Sequence, residues 1–181
     1  MSEIIDLQSD LIVKCKLNNT KAQMKLYDMY CTAMYNTAYN IVNREAEAQD
    51  IMQESFIKAF KSISTYNGEA SFGSWLKRIV INNSLDLLKK KKIETISIDD
   101  HKVAVAEDDN WEIEEKIPIK FIFECIEKLP LKYKNVVKLY LLEGYDHQEV
   151  SQILKISEVA SRSQLFRGKN KLKELLKSEI L

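Results

Sequence analysis

The sequence predicts an all-α protein of two small helical domains, an N-terminal helix bundle and a C-terminal helix-turn-helix four-helix domain, joined by an acidic flexible linker. Three observations carry that expectation. Only four glycines and two prolines punctuate 181 residues, so tight turns have little material, and Val/Thr-rich alternating runs are few. Apolar residues recur instead at three- and four-residue steps. The charge is also divided. Residues 1–92 carry 13 basic and 10 acidic side chains, residues 93–117 carry 2 and 9, and residues 118–181 carry 12 and 8, although the whole chain is formally neutral. Two mildly basic blocks on an acidic strap suit a nucleic-acid binder; the strap is either a solvated linker or a mimic of nucleic acid.

Composition narrows the function classes. The 45% hydrophobic and 30% charged content fits a soluble globular protein. No run reaches about 18 uncharged apolar residues, and the N-terminus lacks a basic region followed by an apolar one. The expected location is therefore cytoplasmic unless a partner tethers the chain. Cys15, Cys31 and Cys125 are far apart without CxxC spacing, and His101 and His147 have no second ligand nearby in sequence. No metal site or cofactor is expected, and the thiols read as reduced and mostly buried. A glycine-rich phosphate loop and a nucleophile–base arrangement are both missing, so the chain does not read as an enzyme.

In chain order, residues 2–17 form the first expected helix, with Leu11, Ile12 and Cys15 among its apolar positions. Asn18-Asn19-Thr20 supplies a turn and an N-cap. From Thr20 to Val42, Tyr27, Tyr30, Met34, Ala38 and Ile41 trace one stripe, a pattern that favours core over base stacking. Asn43 is the expected cap of the next helix, Arg44 to about Ser62, whose inward face is Ala48, Met52, Phe56, Ala59 and Phe60. Asp50, Gln53, Glu54 and Ile57 project elsewhere. An acidic patch beside an apolar residue suits a protein-docking surface more than a helix facing only water. After a glycine-bearing loop at Tyr66-Asn67-Gly68-Glu69-Ala70, Ser71 caps a helix ending in Lys89–Lys92. Its expected apolar face is Trp75, Leu76, Ile79, Val80, Asn83 and Leu87, with Lys77, Arg78, Asn82 and Asp86 on or near the other face. A loop with ring and amide groups beside a basic helix can hold unstacked nucleic acid; an ordinary amphipathic helix with a lysine tail fits equally well.

Residues 93–117 have no helical period and read as an extended linker with Trp111 as its one large anchor. The second block, 118–181, begins with a short helix carrying Ile119, Phe121, Ile122, Ile126 and Leu129, stopped at Pro130. A helix from Leu131 to Leu142 ends near Gly144. Asp146 caps His147–Leu154, and Lys155-Ile156-Ser157 turns into a long final helix. Short helix, tight turn and longer basic helix is the outline of a helix-turn-helix. Val150, Ile153, Ile156 and Leu165 would pack the pair, leaving Ser157, Glu158, Ser161, Arg162, Gln164 and Lys169 at or near the exposed front. Arg and Gln carry the forked groups that read guanine and adenine edges.

With both blocks in view, the chain resembles an extracytoplasmic-function (ECF) sigma factor of the sigma-70 family. The matching stretches are AEAQDIMQESFIKAF, ASFGSWLKRIVIN, LLEGYDHQEVSQIL and ISEVASRSQLFRGKNKLKELL, in the family's order and spacing. The resemblance implies a sigma region 2-like domain at 1–92, an acidic linker at 93–117 and a sigma region 4-like domain at 118–181. It implies core RNA polymerase and promoter DNA as partners, control by an anti-sigma factor, and no catalysis. By the same resemblance, Asp50, Gln53, Glu54 and Ile57 belong to the polymerase-docking helix. Tyr66, Asn67, Gly68, Glu69, Ser71, Lys77, Arg78 and Asn82 would hold the melted −10 element. His147, Arg162, Ser163, Phe166, Arg167 and Lys169 would contact the −35 element.

Four departures from the family pattern stand out. Lysines stand for arginines at 89–92, where they hold phosphate as point charges without bidentate geometry. Lys155 replaces the usual turn glycine, at a cost of about 1 kcal/mol if that residue is left-handed. Val159-Ala160 replaces Gly-Thr at the helix entrance. Gly168 replaces a typical Ala, which should weaken the helix by about 0.5–1 kcal/mol. The alternative to a sigma factor is a helix-turn-helix regulator acting without polymerase, which leaves the 50–57 face and the 66–92 stretch unused.

Overall fold

The computed structural model of the protein describes residues 2–93 and 117–178, and every regular element within them is helical. The helices fall into two compact units. The first holds α1 (Ser2–Lys16), α2 (Thr20–Val42), α3 (Glu45–Lys61) and α4 (Phe72–Ile93), with one 3-10 turn at Ile63–Thr65. The second holds α5 (Ile119–Glu127), α6 (Leu131–Val137), α7 (His147–Leu154) and α8 (Glu158–Ser178). The acidic strap, with Trp111, lies outside the described residues.

Asparagines set the turns of the first unit. Asn18 is left-handed (φ 60°), and the Asn19 side chain accepts from the Ala22 N–H at 3.0 Å to cap α2. Asn43 does not cap α3 as expected. It is itself left-handed (φ 54°) and donates its N–H to the Tyr39 carbonyl at 2.8 Å, so it closes α2. Asn tolerates this conformation because its short polar side chain meets little steric penalty there. Arg44 takes the N-cap position of α3 without a side-chain bond, and Glu45 and Glu47 offset the positive helix end.

The core between α2, α3 and α4 is built from Leu26, Met34, Ala38 and Ile41, from Ile51, Met52 and Phe56, and from Phe72, Leu76, Val80, Ile81 and Leu85. Tyr27 and Tyr30 flank the α2 stripe half-buried, their rings against Phe56 (4.8 Å) and Phe72 (5.6 Å). The buried face of α4 is rotated from the expected one. Trp75, Ile79 and Leu87 are only half-buried, whereas Phe72, Ile81, Ser84 and Leu85 are inside. Ser84 hides its polarity by donating to the Val80 carbonyl at 2.8 Å, which lets a hydroxyl occupy a core position. Asn83 is a polar clasp between helices. Its amide donates to Ser55 Oγ at 2.7 Å and its carbonyl accepts from Lys58 Nζ at 2.6 Å.

In the second unit α5 buries Cys125 and Ile126, with Leu129 beyond it, but Ile119 at its start is 73% exposed. α6 runs on into a π-helical turn, Lys138–Leu142. Lys138 is 1% exposed there. Its ammonium pairs with the Glu127 carboxylate, which also lies 3.3 Å from Lys134. Burial pushes the Lys138 pKa down, and the Glu127 contact opposes that shift.

α7 opens with a complete capping box. Asp146 accepts from the Glu149 N–H at 2.8 Å, and Glu149 accepts from the Asp146 N–H at 3.0 Å. Lys155 ends α7 in the left-handed region (φ 57°), so the cost of a side chain in that conformation is met in this turn. Ser157 then accepts from the Ala160 N–H at 3.1 Å and starts α8. Val150, Ile153 and Leu165 are buried as expected, while Ile156 is half-buried.

The reading of Gly168 as a weak point is reversed. A Cβ at this buried position would lie 2.6 Å from Val137 Cγ2 and 3.4 Å from Tyr133 Cβ. The close approach of α6 to α8 requires glycine there.

Candidate nucleic-acid interface

The 66–71 loop is held in shape from within. Tyr66 donates its hydroxyl to the Ala70 carbonyl at 2.7 Å, closing the loop on itself. Asn67 Oδ1 accepts from the Glu69 N–H at 3.1 Å, an Asx turn, and Gly68 supplies a positive φ of 83°. Lys16 at the end of α1 donates to the Tyr66 carbonyl at 2.9 Å. Ser71 Oγ accepts from the Ser74 N–H at 3.1 Å and caps α4. Asn67, Gly68, Glu69 and Ser71 are exposed around this frame. Tyr66 is not: its half-buried ring lies edge-on to Phe72 at 5.7 Å and tilted on Trp75 at 5.4 Å.

Beyond the loop, Arg78 and Asn82 share one outward stripe of α4, four residues apart. Lys77 does not join them. It is turned about 100° from Arg78 and sits half-buried on the flank of the packed side. Trp75 takes the place on the outward stripe one turn before Arg78, with its ring against the loop. Sequence reading assigned it to the core. The missed signal is its i, i+3, i+7 spacing to Arg78 and Asn82, with Phe72 available for the core position.

Asp50, Gln53, Glu54 and Ile57 are all exposed along one side of α3, opposite Ala48, Ile51, Met52, Ser55 and Phe56. Ile57 is 54% exposed. Asp50 and Glu54 stand four residues apart, so their like charges repel by about 0.2–0.5 kcal/mol.

On α8 the buried side is Ser161, Leu165, Gly168, Leu172 and Leu176. Ser161 was expected at the front and is fully buried; its hydroxyl lies 2.9 Å from His147 Nδ1. Two α-helices meeting across a tight turn leave room there for a small polar residue with a local partner. His147 is half-buried, its ring 4.7 Å from the Tyr140 ring. Burial, then the Arg162 and Lys169 charges, lower its pKa, with Asp146 and Glu158 opposing. Arg162 is exposed and lies 3.8 Å from Glu158. Ser163 and Phe166 are half-buried on the same outward side, Arg167 and Lys169 on its two flanks. Among the described residues no cluster of three or more His, Cys, Asp or Glu side chains could hold a metal ion.

Two family descriptions match the two units: Sigma-70 region 2 over residues 26–93, spanning α2 to α4, and Sigma-70 region 4 over residues 122–172. The RNA polymerase sigma factor SigZ of Bacillus subtilis is 30% identical over 152 residues, covering 83% of this chain and 85% of SigZ. The chain belongs to the sigma-70 family. Within it the likeness extends to the ECF group, as with the ECF RNA polymerase sigma factor SigM of Bacillus subtilis, 28% identical over 83% of this chain and 93% of SigM. The fold of this sigma factor is shared with the sigma factor RpoE solved in complex with the anti-sigma factor NepR from Bartonella quintana (TM-score 0.60, 17% identity, 85% of this chain and 96% of that one). Among its described residues, no helix is long and apolar enough to cross a membrane.

Proposed function

We propose that this ECF sigma factor docks on core RNA polymerase through the α3 stripe and opens promoters with the two basic units, catalysing no reaction itself. The observation that carries the docking assignment is the stripe Asp50, Gln53, Glu54 and Ile57. It keeps an exposed isoleucine and a repelling pair of acids on one side of a helix, an arrangement that costs stability in isolation and suits a basic, partly apolar partner.

In this reading the 66–71 loop receives a base flipped from the −10 element, offsetting an unstacking cost of a few kcal/mol. Its preformed turns reduce the ordering entropy of capture. Exposed Asn67, Gly68, Glu69 and Ser71 meet the base, Trp75 offers a ring face, and Arg78 and Asn82 follow the strand, with Lys77 at the flank. α8 enters the major groove of the −35 element with Arg162, Ser163 and Phe166 foremost, Arg167 and Lys169 beside them, and His147 on the sugar–phosphate backbone. Each unit alone binds DNA weakly, and docking makes the second contact effectively intramolecular. The protein works in the cytoplasm. An anti-sigma factor, free or at the inner membrane, holds it inactive, as the solved complex of RpoE with NepR suggests by likeness of fold.

The test is transcription from a promoter library by purified core polymerase with and without this protein, alongside co-purification. Wild type should retain core polymerase and initiate from a defined −10/−35 set. Asp50→Lys with Glu54→Lys should lose both while melting like the parent. Tight, sequence-specific binding of the isolated protein to duplex promoter DNA would overturn the proposal.

A further inference from the structure

Val159 is the second residue of α8 and is 75% exposed. The buried residues Ser161, Leu165, Gly168 and Leu172 fix which way the helix faces. About 100° of rotation per residue then puts Val159 on the outward stripe with Arg162, Ser163 and Phe166, at i, i+3, i+4 and i+7. Val159 is thus the first side chain of that stripe. A helix-turn-helix brings the N-terminal residues of its second helix to base edges. A β-branched apolar side chain there has neither donor nor acceptor. The one base-edge feature it matches is the C5-methyl group of thymine. Its neighbours are polar, with Glu158 and Arg162 paired at 3.8 Å across the preceding position. No packing need within the second unit accounts for a valine at this exposed site.

We infer that Val159 is a specificity-determining residue that reads a thymine methyl in the −35 element, next to the base pair addressed by Arg162. The inference rests on the proposed entry of α8 into that element. It adds a sequence preference that a glycine at this place could not impose, because glycine has no side-chain surface to bury against a methyl.

The test uses holoenzyme reconstituted from core polymerase and the full chain. The −35 element that it selects from a library is first determined. Each thymine of that element, on both strands, is then replaced singly by uracil, which removes only the methyl. One position should weaken binding about fourfold, the effect of withdrawing one methyl from contact. In Val159→Ser, which has no methyl, the thymine and uracil forms should bind alike, whereas Val159→Thr, which keeps a γ-methyl, should retain the difference. Val159 is exposed, so thermal melting should be unchanged in both variants. Equal binding of every uracil duplex by wild type overturns the inference, as does a uracil penalty that persists in Val159→Ser. In both cases the −35 preference itself survives. A holoenzyme with no −35 preference at all overturns the proposed function as well.

Discussion

Nδ1 of His147, the first residue of α7, and Oγ of Ser161, buried in α8, lie 2.9 Å apart and tie the two helices of the helix-turn-helix together. This contact joins the expected DNA-facing histidine to the packing of the recognition helix. Burial of the same histidine makes the second unit sensitive to pH.

Burial and the Arg162 and Lys169 charges hold the His147 pKa below its ordinary value near 6.5, more strongly than Asp146 and Glu158 raise it. The unfolded chain therefore binds a proton at higher pH than the folded one. Stability from this group is complete above about pH 6.5 and declines as pH falls from there toward the lowered folded value. Hydrogen exchange of the α7 and α8 amides between about pH 5 and 8, corrected for intrinsic rates, should show weaker protection at the acid end. His147→Gln should flatten that dependence. An unchanged slope in the variant would assign it to other groups.

A second prediction reverses a helix-propensity argument. Ala exceeds Gly in helix interiors by about 0.8–1 kcal/mol, yet Gly168→Ala should destabilise the second unit. The new Cβ would lie 2.6 Å from Val137 Cγ2 and 3.4 Å from Tyr133 Cβ, and overpacking of this kind costs about 1–3 kcal/mol. Urea titration should show the loss. Adding Val137→Ala to Gly168→Ala should recover part of it, since the clashing methyl is then gone. A stabilised single variant would refute the close approach of α6 and α8.

Helix existence and order were legible in the sequence, because caps and apolar periods act locally. Asn19, Ser71 and Asp146 each cap as their sequence positions imply, whereas Asn43 closes α2 instead of opening α3. Rotation about the helix axis was less legible. On α4 the reading began at Trp75 and missed Phe72, and it did not admit Ser84 to the core, whose hydroxyl is satisfied by its own helix. Gly168 and Ser161 were misread for a related reason: their roles depend on Val137 and His147, 31 and 14 positions away, and single-helix patterns carry no such information. The exposed stripe of α3 was legible because Asp50, Gln53 and Glu54 interrupt the apolar period, with Ile57 the one apolar residue left outside it.

The Glu127–Lys138 pair offers an asymmetric test. Lys138 is 1% exposed and Glu127 only partly buried, so the ammonium is the group most dependent on its partner. Glu127→Gln should remove the carboxylate charge that opposes burial of the ammonium and destabilise the second unit by up to about 3 kcal/mol. Lys138→Met keeps much of the aliphatic volume and removes the buried charge, so its cost should be smaller. Denaturant midpoints of the two variants settle the order. A larger loss in Lys138→Met would mean that the ion pair is a net stabiliser rather than a compensated burden.

The last prediction separates reading from phosphate holding in the intact holoenzyme. Arg162 lies on the outward stripe of α8 and in the free protein is engaged only loosely with Glu158, at 3.8 Å between exposed groups; such a pair is worth less than about 1 kcal/mol and yields easily to a base edge. Arg162→Ala should therefore relax preference at one −35 position by about 1–3 kcal/mol. Lys90, by contrast, is exposed near the end of α4, beside a Lys91 that is partly committed to Glu47 at 2.5 Å. Lys90→Ala should weaken binding evenly across sequences and reduce the salt slope by about one. Lys91→Ala should change the slope less, since part of its charge is already offset by Glu47, and should loosen the α3–α4 contact instead. Binding measured over a salt series against promoter duplexes that keep the −10 element and carry matched or mismatched −35 elements distinguishes the three. If Arg162→Ala and Lys90→Ala behave alike, base reading does not reside at Arg162, and the division of labour between α8 and the α4 lysines is wrong.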